Sequence, residues 1–243
     1  MIEIITPDWP VAANVRACSS TRLGGVSVAP FDSLNLGQRS GDAAEAVAHN
    51  VHRFSTAARL PAEPMWLTQV HGTDVAVLDA MPVARDADAA ITRRTRTVCA
   101  IQSADCLPVL FAARDGSCVG AAHAGWRGLA GGVLENTIAA LDVAPHDLLA
   151  WLGPAIGPAS FEVGEEVRAA FTAQAAIAAT AFERNTRARW RCDLYALARQ
   201  RLTAAGVTQV HGGGLCTYAD SRRFYSYRRD GRTGRMATLI WLD

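Results

Sequence analysis

Apolar and polar positions along this chain follow two periods, and their order predicts a mixture of strands and helices. Short apolar runs predict strands at 2–5 (IEII) and 15–20 (VRACSS). A glycine-rich turn (RLGGVS) follows, then a loop over 30–37 (PFDSLNLG). Val47, Val51 and Phe54 recur at helical spacing and predict one helix over 42–60, with Ser40 or Asp42 able to cap it. Further strands are expected at 65–70 and 74–79, and a dense group lies between 97 and 124. There TVCAIQS, LPVLFAA and SCVGAAH are separated by AD and by RDG, a hairpin-type turn signal.

Residues 125–141 read as a helix with a glycine-rich start, and LLAWLG at 148–153 as a strand. FEVGEEVRAAF and DLYALARQRLTAAG read as helices, VTQVHGG and MATLIWL as late strands. No repeat, low-complexity tract or linker interrupts the series, so one domain over 1–243 is expected. Strands interspersed with helices and hairpins predict an α+β fold with mixed sheets.

Composition narrows the class. Half of the residues are apolar, yet no run reaches the roughly 18 needed to cross a bilayer. No basic segment precedes an apolar stretch at the N-terminus, so a cytoplasmic protein without membrane contact is expected. The formal net charge of +1 gives no drive towards nucleic acid. All 24 basic residues are arginine, so Schiff-base lysine chemistry and a P-loop are excluded. None of the six cysteines forms a C-x-x-C pair.

Three chemistry-bearing residues share a setting. His71 ends WLTQVHG, Cys106 ends CAIQSADC and His123 ends SCVGAAHAG, each where an apolar strand meets small or turn-forming residues. Two imidazoles and a thiolate can hold zinc with a fourth position open. Their spacing matches no local zinc motif. It leaves open a shared metal site, two strand-end histidines with a buried thiol, or a metal-free Cys106–His123 nucleophile pair.

Cys99 and Cys118 read as core residues, and His49 with His52 as a surface pair. HGGG at 211–214 lacks the G-x-S-x-G partner of a lipase and reads as a turn. The segment 221–236 carries six arginines and three aromatics, suited to a solvated loop, to phosphate capture or to base stacking.

The strings STRLGGVS, PFDSLNLG, TQVHG, SADCLPV, HAGWRGL, GPAIGPASFEVG and FYSYRRDGRTGRMA together resemble a known bacterial family. Its members were once labelled polyphenol oxidase or multicopper-laccase-like. They were later described as purine nucleoside phosphorylases with adenosine deaminase activity, and some as peptidoglycan-editing factors. The resemblance implies a layered α/β/β/α sandwich and zinc ligation by His71, Cys106 and His123, which would also be the catalytic residues. It implies nucleoside and phosphate as partners, with Arg127 facing the cleft to bind an anion. Arg22, Asn35 and Gln69 fall inside the shared strings and are candidate substrate contacts. Amide hydrolysis of the cell-wall precursor UDP-MurNAc-L-Ser is the alternative activity. Copper is the weaker choice of metal, because six histidines without an H-x-H pair do not suit a multicopper cluster. The oligomeric state is left open.

Overall fold

The computed structural model describes residues 2–79 and 86–243. In chain order the strands begin β1 (Ile4–Ile5), β2 (Val15–Ser20), β3 (Val75–Val77), β4 (Ala89–Thr92), β5 (Cys99–Ser103), β6 (Leu107–Ala113) and β7 (Val119–Ala124). They continue β8 (Leu148–Leu152), β9 (Glu162–Val163), β10 (Phe182–Arg184), β11 (Trp190–Cys192), β12 (Gln209–Gly212) and β13 (Met236–Leu242). The α-helices are α1 (Ala44–Ala58), α2 (Trp126–Gly131), α3 (Val133–Leu141), α4 (Glu165–Thr172), α5 (Leu194–Ala204) and α6 (Tyr227–Asp230).

Two sheets dominate. One has four strands in the order β1-β2-β13-β5, the other six in the order β12-β8-β6-β7-β4-β3. The first is antiparallel throughout; the second is mixed, because β12 joins β8 and β3 joins β4 in parallel. A small sheet β10-β11-β9 flanks them.

Side-chain alternation explains the layers. In β6, Leu107, Val109 and Phe111 face a core shared with Val133, Leu134 and Ile138 of α3 and with Leu194 and Leu197 of α5. The intervening Leu110 and Ala112 face Ile101 of β5 and Ile240 of β13. Both faces are therefore covered, and the strand is apolar at every position rather than alternating. On the outer face of the four-stranded sheet, Ala100, Leu239 and Trp241 pack with Phe54 of α1. The order is helix, sheet, sheet, helices, the expected α+β sandwich.

Several boundaries depart from the sequence expectations. The helix expected over 125–141 is two helices, because Gly132 adopts φ +104° between them. That left-handed conformation suits glycine and ends α2. The first part of FEVGEEVRAAF is the short β9, and only Glu165–Thr172 is helical. Residues 65–70 form no continuous strand. Met65 makes a single bridge to Cys99, and the Gln69 side chain replaces the rest of the pairing. Its amide donates to the Gln102 carbonyl at 2.8 Å and accepts from the Gln102 N–H at 2.8 Å. Neither Ser40 nor Asp42 caps α1; Ala43 holds that position without a side-chain bond. Asp42 instead accepts from Ser27 (2.6 Å) and Asn35 (2.9 Å), fastening the preceding loop. Cys99 and Cys118 are core residues, and His49 and His52 are exposed. No described helix is long and apolar enough to cross a membrane.

Candidate metal centre

The antiparallel pair β6–β7 brings two of the three candidates together. Pro108 lies opposite His123, so Cys106, just before β6, sits beside the end of β7. His123 shares a strand face with Val119 and Ala121, which point between the two large sheets. The centre thus lies at the mouth of the inter-sheet layer. His71 arrives from the irregular segment before β3 and lies 3.8 Å, Nε2 to Sγ, from Cys106. The two imidazole rings meet edge to face, 4.9 Å between centroids at 77°. One ligand atom from each of His71, Cys106 and His123 falls within 4.8 Å of the others.

A residue absent from the sequence reading organises this group. Asp88 is fully buried just before β4. One of its oxygens takes the His123 Nδ1 hydrogen bond at 2.8 Å and the His71 N–H at 3.0 Å. The other accepts from the N–H groups of Val70 (3.0 Å) and Gly72 (2.7 Å). With Nδ1 of His123 committed to Asp88, its Nε2 is left to act as a ligand.

The electrostatics fit a cation. Burial opposes ionisation of the Cys106 thiol, but the imidazoles of His123 and His71 pull it down to about 6. Burial also disfavours a charged His123, yet Cys106 and Asp88 raise it to about 9. Burial works against the Asp88 carboxylate too, and its hydrogen bonds from His123, Gly72 and Val70 hold it below the ordinary carboxylate range. A metal ion would take the place of the protons that this cluster otherwise shares. Two imidazoles and a thiolate form a set suited to zinc, with the fourth position open.

Small residues let the donors converge. A Cβ on Gly125 would stand 3.0 Å from both Cys106 Sγ and His71 Cδ2, and one on Gly128 would stand 2.8 Å from the Gly72 carbonyl. Gly125→Ala is expected to weaken metal binding by about tenfold while leaving the fold intact. Competition with a chromophoric chelator checks this; unchanged affinity would show that the donors have room to spare.

The centre opens on one side to a cavity of about 460 Å³. Its walls include Arg39, Gln69, Gln102, Tyr227 and Arg235. A smaller, largely apolar chamber of about 130 Å³ lies on the other side of Cys106 and Tyr227, between Trp126, Ile156, Phe161 and Leu194.

The four candidate substrate contacts fall in different places. Gln69 lines the larger cavity while clamping Gln102. Asn35 is buried and bonds the backbone N–H groups of Gly37 and Arg235, supporting the cavity wall from behind. Arg22 pairs with Asp32 at 3.1 Å and lies 4.7 Å above the Tyr225 ring, outside the lining of either cavity. Arg127 is exposed, stacked 4.5 Å from the Trp126 ring, and also lines neither cavity. Sequence alone singled out neither Arg39 nor Gln102, and Arg235 only as one of six arginines in 221–236; Tyr227 stood among the three aromatics of that segment suited to base stacking.

A family model described as multi-copper polyphenol oxidoreductase laccase matches residues 16–243. The purine nucleoside phosphorylase YfiH of Escherichia coli (strain K12) is 54% identical over 243 residues, covering all of both chains. A purine nucleoside phosphorylase of Pseudomonas aeruginosa is 56% identical over 240 residues, covering 98% of each. Among solved structures, a Neisseria meningitidis protein superposes with a TM-score of 0.94 at 50% identity, covering 99% of each chain. YlmD from Geobacillus stearothermophilus superposes with a TM-score of 0.85 at 31% identity, covering 95% of this chain and 92% of its own.

Proposed function

Because the chain belongs to the multi-copper polyphenol oxidoreductase laccase family, whose full-length relatives include purine nucleoside phosphorylases, we propose that it is a zinc-dependent purine nucleoside phosphorylase. The convergence of His71, Cys106 and His123 at the floor of a nucleoside-sized cavity carries this reading. Zinc held by His71, Cys106 and His123 would supply Lewis-acid chemistry at this position.

The chain's own residues account for the second substrate. Phosphorolysis forms a bond between phosphate oxygen and the ribose C1′ as the bond from C1′ to the base breaks, and the departing base nitrogen takes up a proton. An anion must therefore be held beside the sugar. Arg39 and Arg235 line the cavity, whereas Arg127 does not, so we assign the anion to the first two. Arg235 is anchored through its backbone N–H to Asn35 at 2.9 Å, and its side chain lies 6.0 Å from the Tyr227 ring centroid. Tyr227 and the apolar edge of Leu67 offer surfaces for the base. Adenosine deamination is the second activity we assign to the same centre, and a cytoplasmic location agrees with its small soluble substrates.

Products of adenosine turnover by zinc-loaded protein, separated with and without phosphate, test this reading. Phosphate-dependent adenine and ribose 1-phosphate are expected; inosine would mark the deaminase branch. Intact adenosine throughout, with free serine released from UDP-MurNAc-L-Ser, would replace this reading by the cell-wall amidase. Arg235→Ala is expected to raise the KM for phosphate by about 10-fold or more, with a smaller effect on adenosine. Initial rates across both concentrations check that split; an effect confined to adenosine would move the anion elsewhere.

A further inference from the structure

We propose that Asp88 is a positioning residue that sets both histidine donors of the metal centre at once. It fixes which nitrogen of His123 faces the metal and holds the backbone of residues 70–72 in the turn that presents His71. The inference rests on the metal-binding reading above and goes beyond it in assigning the assembly of the site to one carboxylate.

The geometry is economical in acceptors. A carboxylate has about four lone-pair directions. Asp88 uses them for four donors, Val70 N–H, His71 N–H, Gly72 N–H and the His123 ring. His71 has φ +61°, a left-handed conformation unfavourable for a residue with a β-carbon. Three consecutive N–H groups converging on one carboxylate offset that cost and fix the direction of the His71 side chain. On the other side, the Asp88 carbonyl accepts the His123 N–H at 2.7 Å, so backbone and side chain hold the same histidine. The two histidines are 52 residues apart (123 minus 71), yet they are oriented by atoms of a single residue.

An amide cannot reproduce this. Asparagine has one acceptor oxygen and a donor NH2 group. In one orientation its NH2 opposes the His71 N–H and donates to His123 Nδ1, moving the ring proton to Nε2 and removing the ligand lone pair. In the other it opposes the N–H groups of Val70 and Gly72. Either way, one donor is misplaced without a change in size.

The test is zinc affinity by chelator competition on the full chain for the unmodified protein, Asp88→Asn and Asp79→Asn. Asp79 is the control, a carboxylate that accepts from Thr92 Oγ1 at 2.7 Å and the Arg93 N–H away from the centre. Asp88→Asn is expected to lose 10- to 100-fold in affinity while Asp79→Asn keeps it. Equal affinity in Asp88→Asn, or an equal loss in both variants, overturns the inference. Should Asp88→Asn not fold, nitrogen-15 NMR of the unmodified zinc-loaded protein decides. A proton on His123 Nδ1 is expected, and its presence on Nε2 overturns the assignment. Failure of the unmodified protein to take up zinc would overturn the metal reading itself, a result distinct from tight binding that ignores Asp88.

Discussion

Replacement of Cys106 by alanine is expected to abolish zinc binding and phosphorolysis together. The thiolate is the one negatively charged donor of the three, and it sits between the two imidazoles, 3.8 Å from His71 Nε2. Its removal leaves two neutral nitrogens, a set too small for a stable catalytic zinc site. The loss of affinity should exceed the 10- to 100-fold expected when a partner behind a ligand is removed. If the metal contributes about 4 kcal/mol to the barrier, activity falls by about three orders of magnitude. Metal content after desalting and adenine release on the same sample are the readouts. Retention of zinc with loss of activity would point to Cys106 as a nucleophile, and full activity would remove it from the site.

Asp105→Ala is expected to destabilise the protein by about 3–5 kcal/mol, because three donors lose their common buried acceptor. Asp105 is buried and has φ +92°. One oxygen accepts from Thr217 Oγ1 at 2.6 Å, the other from Ser226 Oγ at 3.0 Å and the Arg228 N–H at 2.7 Å. Alanine leaves these three donors unmet, at about 1–3 kcal/mol for each that stays buried, and keeps a β-carbon in the left-handed region. For a chain of this length the melting temperature should fall by roughly 10 °C. Asp105→Asn should lose less, since asparagine tolerates that backbone and retains one acceptor. Because Ser226 starts the turn that carries Tyr227, activity should fall in parallel. Calorimetry with matched rate measurements checks both, and a stability change under about 0.5 kcal/mol would refute the role.

The three candidate donors stood out because each follows an apolar run beside small residues, but only the family resemblance joined them into one set; the β6–β7 hairpin was visible as two apolar runs around RDG. Asp88 was not. It precedes AAIT, a strand of four residues too short for a periodic signal, and its partners come from distant segments. The Gly132 break lay within an unbroken helical pattern, because glycine tolerates both helical and left-handed backbone. Arg127 looked like an anion ligand from its string, but its guanidinium stacks on the neighbouring Trp126. Arg235 could not be separated from five other arginines until folding placed it against Gly37, where a Cβ would meet its side chain at 2.7 Å. Periodicity reports burial; it does not report which of several like charges turns inward.

In the four-stranded sheet, β13 lies between β2 and β5 and is paired on both sides. Its Thr238 bonds Ser19 across 219 residues of sequence. The consequence is one of timing. While the chain is being synthesised, β2 and β5 emerge long before the strand that joins them, and each presents an unpaired edge until residues 236–242 arrive. Closure of such distant pairs is slow, and open edges recruit other chains. The interval between synthesis of β5 and docking of β13 is therefore the period in which this protein most depends on protection from its own copies.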